Sequence, residues 1–170
     1  MASLFGHGVV GATLGYLPEP KASRRLIVLS ALSAILPDID VIGYFWGVAY
    51  QSPWGHRGFT HSLLFAVLWG GLLGLTCFRK GRFTATLTLI VATLSHGVFD
   101  AMTTGGHGVG FFIPFQNERF FFPWRPIAVS PIGLREFAGA RALRILWGEF
   151  LFMGLPCFGA VIMKKIFLSR

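Results

Sequence analysis

His96 and Asp100 stand four residues apart, near the end of a long apolar segment. On an α-helix this spacing places both side chains on one face. An imidazole and a carboxylate that face the same way are ligands of the kind that bind zinc, manganese or iron. The pair therefore predicts half of a metal site, whose other ligands must come from elsewhere in the chain.

Further histidines and aspartates lie at the ends of the preceding apolar segments. His7 is near the start of the first segment, Asp38 and Asp40 follow the second, and His56 and His61 precede the third. We expect these ends to meet on one side of a helical bundle. Three or four imidazoles with several carboxylates are enough ligands for one or two divalent transition metal ions, with zinc foremost and manganese or iron as alternatives.

Arg57 suggests what such a centre would act on. It lies directly after His56 and four residues before His61, and its guanidinium could bind a phosphate through two hydrogen bonds. Two metal ions about 3.5–4 Å apart would hold a water and clamp a phosphoryl group. The spacing therefore favours hydrolysis of a phosphoester.

The composition indicates a membrane protein. Of the 170 residues, 54% are hydrophobic and 13% are charged, whereas soluble domains have about 25% charged residues. Ionisable side chains are costly in such a chain and are therefore candidates for function. The net charge of +8 does not indicate nucleic-acid binding, because the basic residues flank apolar segments. The length suggests that residues 1–170 form a single domain.

The predicted fold is all-α: a polytopic membrane helical bundle with four to five membrane helices. A long loop rich in aromatic residues, Pro and Gly follows the fourth segment, and 132–144 has a weakly amphipathic pattern. Pro37 should end the second helix, and Thr60 or Ser62 should cap the third. The predicted helical segments are 3–17, 22–36, 63–78, 83–100 and 143–163.

Basic residues predict the orientation. Clusters after the first helix, between the third and fourth helices and after the last contain all four lysines. The positive-inside rule assigns the side with these clusters to the cytoplasm. The histidines and aspartates at the opposite helix ends would then lie on the non-cytoplasmic side, although six arginines share that side.

Each candidate also has a simpler interpretation. Asp38 and Asp40 could be turn acids after a proline, and His61, His96 and Asp100 could form a hydrogen-bonded group within the membrane. His7 could be a packed or capping residue, and His56 a loop histidine. Accessory or structural roles are expected for His107, Glu149, Cys77 and Cys157, with no disulfide between the cysteines.

The motifs together resemble a known family. They are His7 near the N-terminus, Leu-Pro-Asp-Ile-Asp at 36–40, Gly-His-Arg-Gly-Phe-Thr-His-Ser-Leu at 55–63 and Leu-Ser-His-x-x-x-Asp-x-x-Thr at 94–103. In this combination the chain resembles the LexA-binding, inner-membrane-associated metal-dependent hydrolases, over about residues 4–132. That family is distantly similar to zinc-dependent phospholipases C.

The resemblance implies a bacterial inner (cytoplasmic) membrane protein with hydrolase activity. By motif match, the implied metal ligands are His7, Asp38, His61, His96 and Asp100. The implied catalytic residues are Asp40, His56 and Arg57. Arg57 would hold phosphate, and Asp40 or His56 would act as a base or would orient a metal ligand.

The predicted function is metal-dependent hydrolysis of a phosphoester in a lipid or lipid-linked substrate. Two other classes stay open on the sequence alone: a metal or proton transporter, for which intramembrane His and Asp are equally suited, and a non-enzymatic regulatory membrane protein. Transport predicts polar groups on both sides of the cluster, whereas a docking protein needs a large cytoplasmic surface.

Overall fold

The computed structural model describes residues 1–19, 23–131 and 140–168. Within these ranges the chain is helical, with no strand beyond two isolated bridges, which confirms the all-α prediction. The helices are α1 (Leu4–Tyr16), α2 (Arg24–Ile35), α3 (Leu63–Cys77), α4 (Arg82–Ala101), α5 (Ala140–Glu149) and α6 (Leu155–Leu168). A 3₁₀ segment (Leu36–Trp46) continues α2, a 3₁₀ turn (Phe59–His61) precedes α3, and a π-helical stretch (Phe150–Gly154) joins α5 to α6.

Three helical stretches in the described part of the chain are long and apolar enough to cross a membrane: Arg24–Trp46, Arg82–Ala101 and Arg141–Leu168. A helical span needs about 20 residues. Helix α3 has 15 residues and α1 has 13, so both are shorter than that length. The prediction of a multi-pass helical protein is confirmed. Of the four to five predicted spans, three are supported by helix length and composition.

Helix α2 ends at Ile35, just before Pro37, as predicted, but the segment that follows is helical too. The chain passes there from α-helix into 3₁₀ helix and stays helical to Trp46. Proline has no N–H but is tolerated in the first turn of a helix, and Pro37 lies at that position of the 3₁₀ segment. As a result, Asp38 and Asp40 lie inside a candidate span of 23 residues rather than in a turn after it.

Helices α1 and α2 form one closely packed pair, and α3 and α4 form another. A side chain at Gly11 of α1 would come within 2.5 Å of the Ser30 carbonyl of α2, so the small residue permits this approach. Between α2 and α4, a core of Leu26, Ala85 and Leu89 is buried. The Ser62 side chain caps α3 by accepting from the N–H of Phe65, as one of the two capping alternatives predicted.

A long loop follows α4, as predicted, and covers one end of the bundle. Parallel pairing of Thr103 with Ile127 and antiparallel pairing of Val109 with Phe120 hold it together. Most of the predicted amphipathic helix at 132–144 lies outside the described residues, and α5 begins at Ala140. The π-helical stretch between α5 and α6 ends two residues before Pro156.

The basic loops meet at the other end of the bundle. Lys164 of α6 donates to the backbone carbonyls of Tyr16, the last residue of α1, and of Glu19, which follows α1. Arg25 of α2 lies over the ring of Phe78, 5.5 Å from its centroid. This end is therefore opposite to the end at which α4 presents His96 and Asp100. Which end faces the cytoplasm stays a prediction.

Candidate metal centre

Four side chains place potential metal ligands close together at the loop-covered end. Asp38, His61, His96 and Asp100 each offer one nitrogen or oxygen atom, and these atoms lie within 4.8 Å of one another. They come from the 3₁₀ continuation of α2, the turn before α3, and α4. Zinc binds such atoms at about 2.0–2.2 Å in tetrahedral geometry, so a small contraction would complete its coordination.

The centre is enclosed. His7, His96 and Asp100 are 0% exposed, and His61 is 3% exposed. Among the buried nitrogen and oxygen atoms that have no hydrogen-bond partner, six lie on four of the candidate ligands: both ring nitrogens of His7, both oxygens of Asp38, and Nε2 of His61 and His96. Buried polar atoms are almost always paired. The concentration of these six atoms on neighbouring side chains fits a site that binds a cation.

His96 is oriented by a backbone carbonyl. Its Nδ1 donates to the Ala34 carbonyl at 2.7 Å. Pro37, three residues after Ala34, has no N–H that could donate to the carbonyls of the preceding turn. With the proton fixed on Nδ1, the lone pair of Nε2 faces Asp38 Oδ1 at 3.3 Å. This is the tautomer that a metal-binding histidine needs.

His61 is oriented by a carboxylate. Its Nδ1 lies 3.2 Å from Asp40 Oδ2, and its Nε2 lies 3.8 Å from both Asp38 Oδ1 and Asp100 Oδ2. Burial lowers the pKa of His61 below its ordinary value, so the ring is neutral near pH 7. A carboxylate behind a neutral imidazole is the usual support of a metal-binding histidine.

Asp40 connects more groups than any other carboxylate of the site. Its Oδ1 accepts from His56 Nδ1 at 2.7 Å, and its Oδ2 accepts from the Arg57 N–H at 3.1 Å and the Thr60 hydroxyl at 2.8 Å. Together with His56 and His61 it forms a second group with ligand spacing. Because these atoms already have partners, Asp40 is better placed to orient two imidazoles than to bind a cation.

Arg57 points into the cluster from a strained backbone conformation. Its φ is +62°, a region that non-glycine residues rarely adopt. The guanidinium is fully buried, and Nε lies 2.9 Å from Asp100 Oδ2. Nη1 donates to the Gly105 carbonyl and Nη2 to the Thr103 hydroxyl, both at 2.9 Å. Arg57 therefore holds Asp100 in place and fixes the start of the long loop.

His7 of α1 completes the cluster. Its ring stacks on that of His96 with centroids 3.8 Å apart, and its Nε2 lies 3.4 Å from Asp100 Oδ1. Asp100 Oδ1 also accepts from the Ala2 N–H at 2.7 Å. The structure thus places four of the five predicted ligands at ligand spacing and His7 against them, with Asp40, His56 and Arg57 around the cluster.

The charges also fit a divalent cation. Three carboxylates, Asp38, Asp40 and Asp100, face two cationic groups, the Arg57 guanidinium and the N-terminal amine near Asp100, so the enclosed cluster carries a net charge of about −1 when its imidazoles are neutral and the amine is protonated. Uncompensated buried charge is costly. The unpaired lone pairs and the negative charge together mean that this buried Asp/His cluster could hold a metal ion.

Several groups that support the site have no signature in the sequence. The Ala34 carbonyl and the Tyr50 ring, which packs edge-on against His56 at 5.3 Å, carry no motif. Glu149, for which a structural role was predicted, accepts from the N–H and hydroxyl of Ser3 in front of α1. His107 is exposed and lies beside Tyr50, and both cysteines are free, as predicted.

The fold and the site define a multi-pass helical membrane protein with a buried Asp/His cluster at one end. The profile of the family described as YdjM inner membrane protein matches residues 1–167. The chain therefore belongs to this family of inner membrane proteins.

A curated relative supports the same assignment. The inner membrane protein YbcI of Escherichia coli (strain K12) is 37% identical over 174 residues, which cover 100% of this chain and 99% of the relative. No solved structure matches the chain. These descriptions confirm the predicted inner membrane location. They name no activity, so the hydrolase and LexA-binding parts of the resemblance stay predictions.

Proposed function

We propose that this protein is a membrane-bound metal-dependent hydrolase that cleaves a phosphoester in a lipid or lipid-linked substrate. The observation that carries the proposal is the group of six unpaired, buried nitrogen and oxygen atoms on His7, Asp38, His61 and His96. With Asp100, these residues would hold one divalent transition metal ion, with zinc foremost. Such an ion, when bound, polarises a water molecule and a phosphoryl oxygen.

The surrounding residues have roles that follow from their contacts. Asp40 holds His61 and His56 in fixed orientations through its two oxygens. His56 has its Nδ1 proton on Asp40, which leaves Nε2 to exchange a proton with water or with a leaving group. Arg57 neutralises Asp100 through Nε, and its remaining N–H groups could bind a phosphate oxygen.

The surroundings of the cluster favour hydrolysis over transport. A transporter needs polar groups that continue across the membrane. Beyond the cluster, the described parts of α1, α2 and α4 contain hydroxyl side chains but no Asp, Glu or His, and the core there is Leu26, Ala85 and Leu89. A path for ions therefore ends at the cluster, as expected for an active site.

A metal analysis of the purified protein tests the proposal directly. We expect about one bound transition metal ion per chain, and loss of both metal and phosphoesterase activity in His96→Ala and Asp100→Ala. His107→Ala is the matched control, because His107 is an exposed histidine of the same end outside the cluster. Full metal content in the double variant His96→Ala/Asp100→Ala would refute the site.

Activity must be separated from transport in the same preparation. The metal-loaded protein in mixed micelles should release phosphate or a phosphorylated headgroup from a phospholipid. In proteoliposomes it should not move Zn²⁺ or protons across the bilayer. Metal-dependent ion flux without phosphoester cleavage would refute the hydrolase proposal and support the transporter interpretation.

A further inference from the structure

A cavity of about 310 Å³ opens on the loop-covered end, directly beside the metal centre. Tyr50, His56 and Gly106 line it together with Met1 and residues 129–131. The other described cavities lie between helices and are lined mainly by apolar side chains. Among the described cavities, this one includes His56, a residue of the site, and the polar side chain of Tyr50.

Only one layer of side chains separates the cavity from the candidate ligands. The His56 ring, in the cavity wall, lies 5.6 Å from the His61 ring between centroids. On the same wall, a side-chain carbon at Gly106 would lie 2.6 Å from Arg57 Nη1 and 2.9 Å from the Tyr50 hydroxyl. Gly106 has φ of +92°, which glycine adopts readily. Its lack of a side chain lets the loop backbone pack directly against Arg57 and the Tyr50 hydroxyl.

The groups around this opening are hydrogen-bond donors. The His107 backbone hydrogen-bonds the Tyr50 hydroxyl, and burial raises the pKa of Tyr50, so its O–H is retained and free to donate. Arg57 has five N–H groups. Three are engaged by Asp100, Gly105 and Thr103. The described residues that line the cavity include no Asp or Glu, so donors meet no competing carboxylate there.

We infer that this cavity binds the phosphate group of the substrate, with the Tyr50 hydroxyl as a donor in its wall and the buried Arg57 guanidinium, behind Gly106, as the nearest positive charge. This rests on the proposed function and adds Tyr50 as a substrate-binding residue. Phosphate oxygens are strong acceptors, and a neighbouring guanidinium charge favours their binding. The bound group would lie next to the metal centre, on the loop side of the bundle, rather than between the helices.

Inorganic phosphate is the direct probe of this site. The protein is loaded with Mn²⁺, and the paramagnetic relaxation of the ³¹P signal is followed as phosphate is titrated. We expect saturable enhancement in the unchanged protein. Tyr50→Phe should weaken phosphate binding by about tenfold to a hundredfold, the usual range for one hydrogen bond to a charged group, while Mn²⁺ content stays the same. Tyr16→Phe, at the other end of α1, is the matched control.

The outcomes distinguish the two levels of the proposal. Bound Mn²⁺ without any ³¹P enhancement, or equal phosphate affinity in the unchanged protein and Tyr50→Phe, overturns the phosphate site and leaves the metal centre intact. Absence of bound Mn²⁺ overturns both. Gly106→Ala, with Mn²⁺ content as its folding control, should also weaken phosphate binding, because its methyl group would lie only 2.9 Å from the Tyr50 hydroxyl and displace it.

Competition identifies the source of the phosphate group. Glycerol 3-phosphate and a short-chain phosphatidic acid carry the same phosphate monoester, but only the second has acyl chains. We expect both to displace inorganic phosphate from the unchanged protein and to do so less well from Tyr50→Phe. Stronger displacement by the lipid assigns the group to a lipid headgroup, and equal displacement assigns it to a soluble phosphoester. Failure of both to displace phosphate overturns the assignment.

Discussion

Asp40→Asn tests whether the metal centre depends on a carboxylate that does not itself bind the ion. Asp40 accepts from His56, Arg57 and Thr60 at 2.7–3.1 Å and lies 3.2 Å from Nδ1 of His61. An asparagine of the same size keeps one oxygen but turns an NH₂ group towards these donors. His61 then loses the acceptor that fixes its proton on Nδ1.

The expected effect is a weaker metal site in a folded protein. Loss of such a supporting carboxylate lowers metal affinity by about 10–100-fold, which corresponds to about 1.4–2.8 kcal/mol. At least one buried donor also loses its acceptor, at a cost of about 1–3 kcal/mol in the free energy of unfolding of the metal-free protein. Asp38→Asn removes a proposed ligand and should weaken metal binding more strongly.

The assay is a competition titration of the purified protein against a chelator of known zinc affinity, combined with thermal unfolding in detergent with and without zinc. Glu118→Gln is the control, because it makes the same chemical change at an exposed acid of the long loop. If Asp40→Asn binds zinc as tightly as the unchanged protein, Asp40 does not orient His61. An equal loss in Glu118→Gln would assign the effect to overall charge.

Three other predictions concern the rest of the chain. Removal of metal by a chelator should lower the melting temperature, because an ion present at a thousandfold above its dissociation constant stabilises the folded state by about 4 kcal/mol. Glu149→Ala should destabilise the protein by about 1–3 kcal/mol, because the buried donors of Ser3 lose their acceptor, while the metal stoichiometry stays the same. Glu19→Ala is the control, and unchanged thermal unfolding of Glu149→Ala would contradict the prediction. In a background without Cys77 and Cys157, a cysteine at the exposed position of Glu118 should react with an impermeant maleimide outside spheroplasts, whereas one at Lys80 should not; the reverse pattern would invert the predicted topology.

Sequence patterns predicted the parts of the site that depend on helix geometry alone. His96 and Asp100 share a buried face of α4 because residues four apart lie on the same side of a helix. The order of the apolar segments also predicted at which end of α1, α2 or α4 each His or Asp would lie. These inferences need no knowledge of how a loop folds.

The remaining parts depend on loops and on backbone details that sequence spacing does not encode. The turn at Arg57, with its positive φ, directs the guanidinium towards Asp100 rather than towards solvent. The 3₁₀ continuation after Pro37 depends on the tolerance of proline in a first helical turn. Tyr50 reaches the cavity because the long loop packs over the segment before α3, a contact between residues far apart in sequence.

The arrangement of the ligands suggests why this cluster lies at the end of the bundle and not within it. Its side chains come from α1, the continuation of α2, the turn before α3, and α4, so one bound ion would connect four segments of the bundle. Two carboxylates in an apolar surrounding are costly without a cation. A bound ion would offset that cost and convert metal affinity into stability of the loop-covered end. Helices α5 and α6 contribute no candidate ligand from their described residues, and α5 reaches the cluster only through Glu149 and Ser3. We therefore expect metal loss to loosen the first four helices while the contacts between α6 and the end of α1 persist.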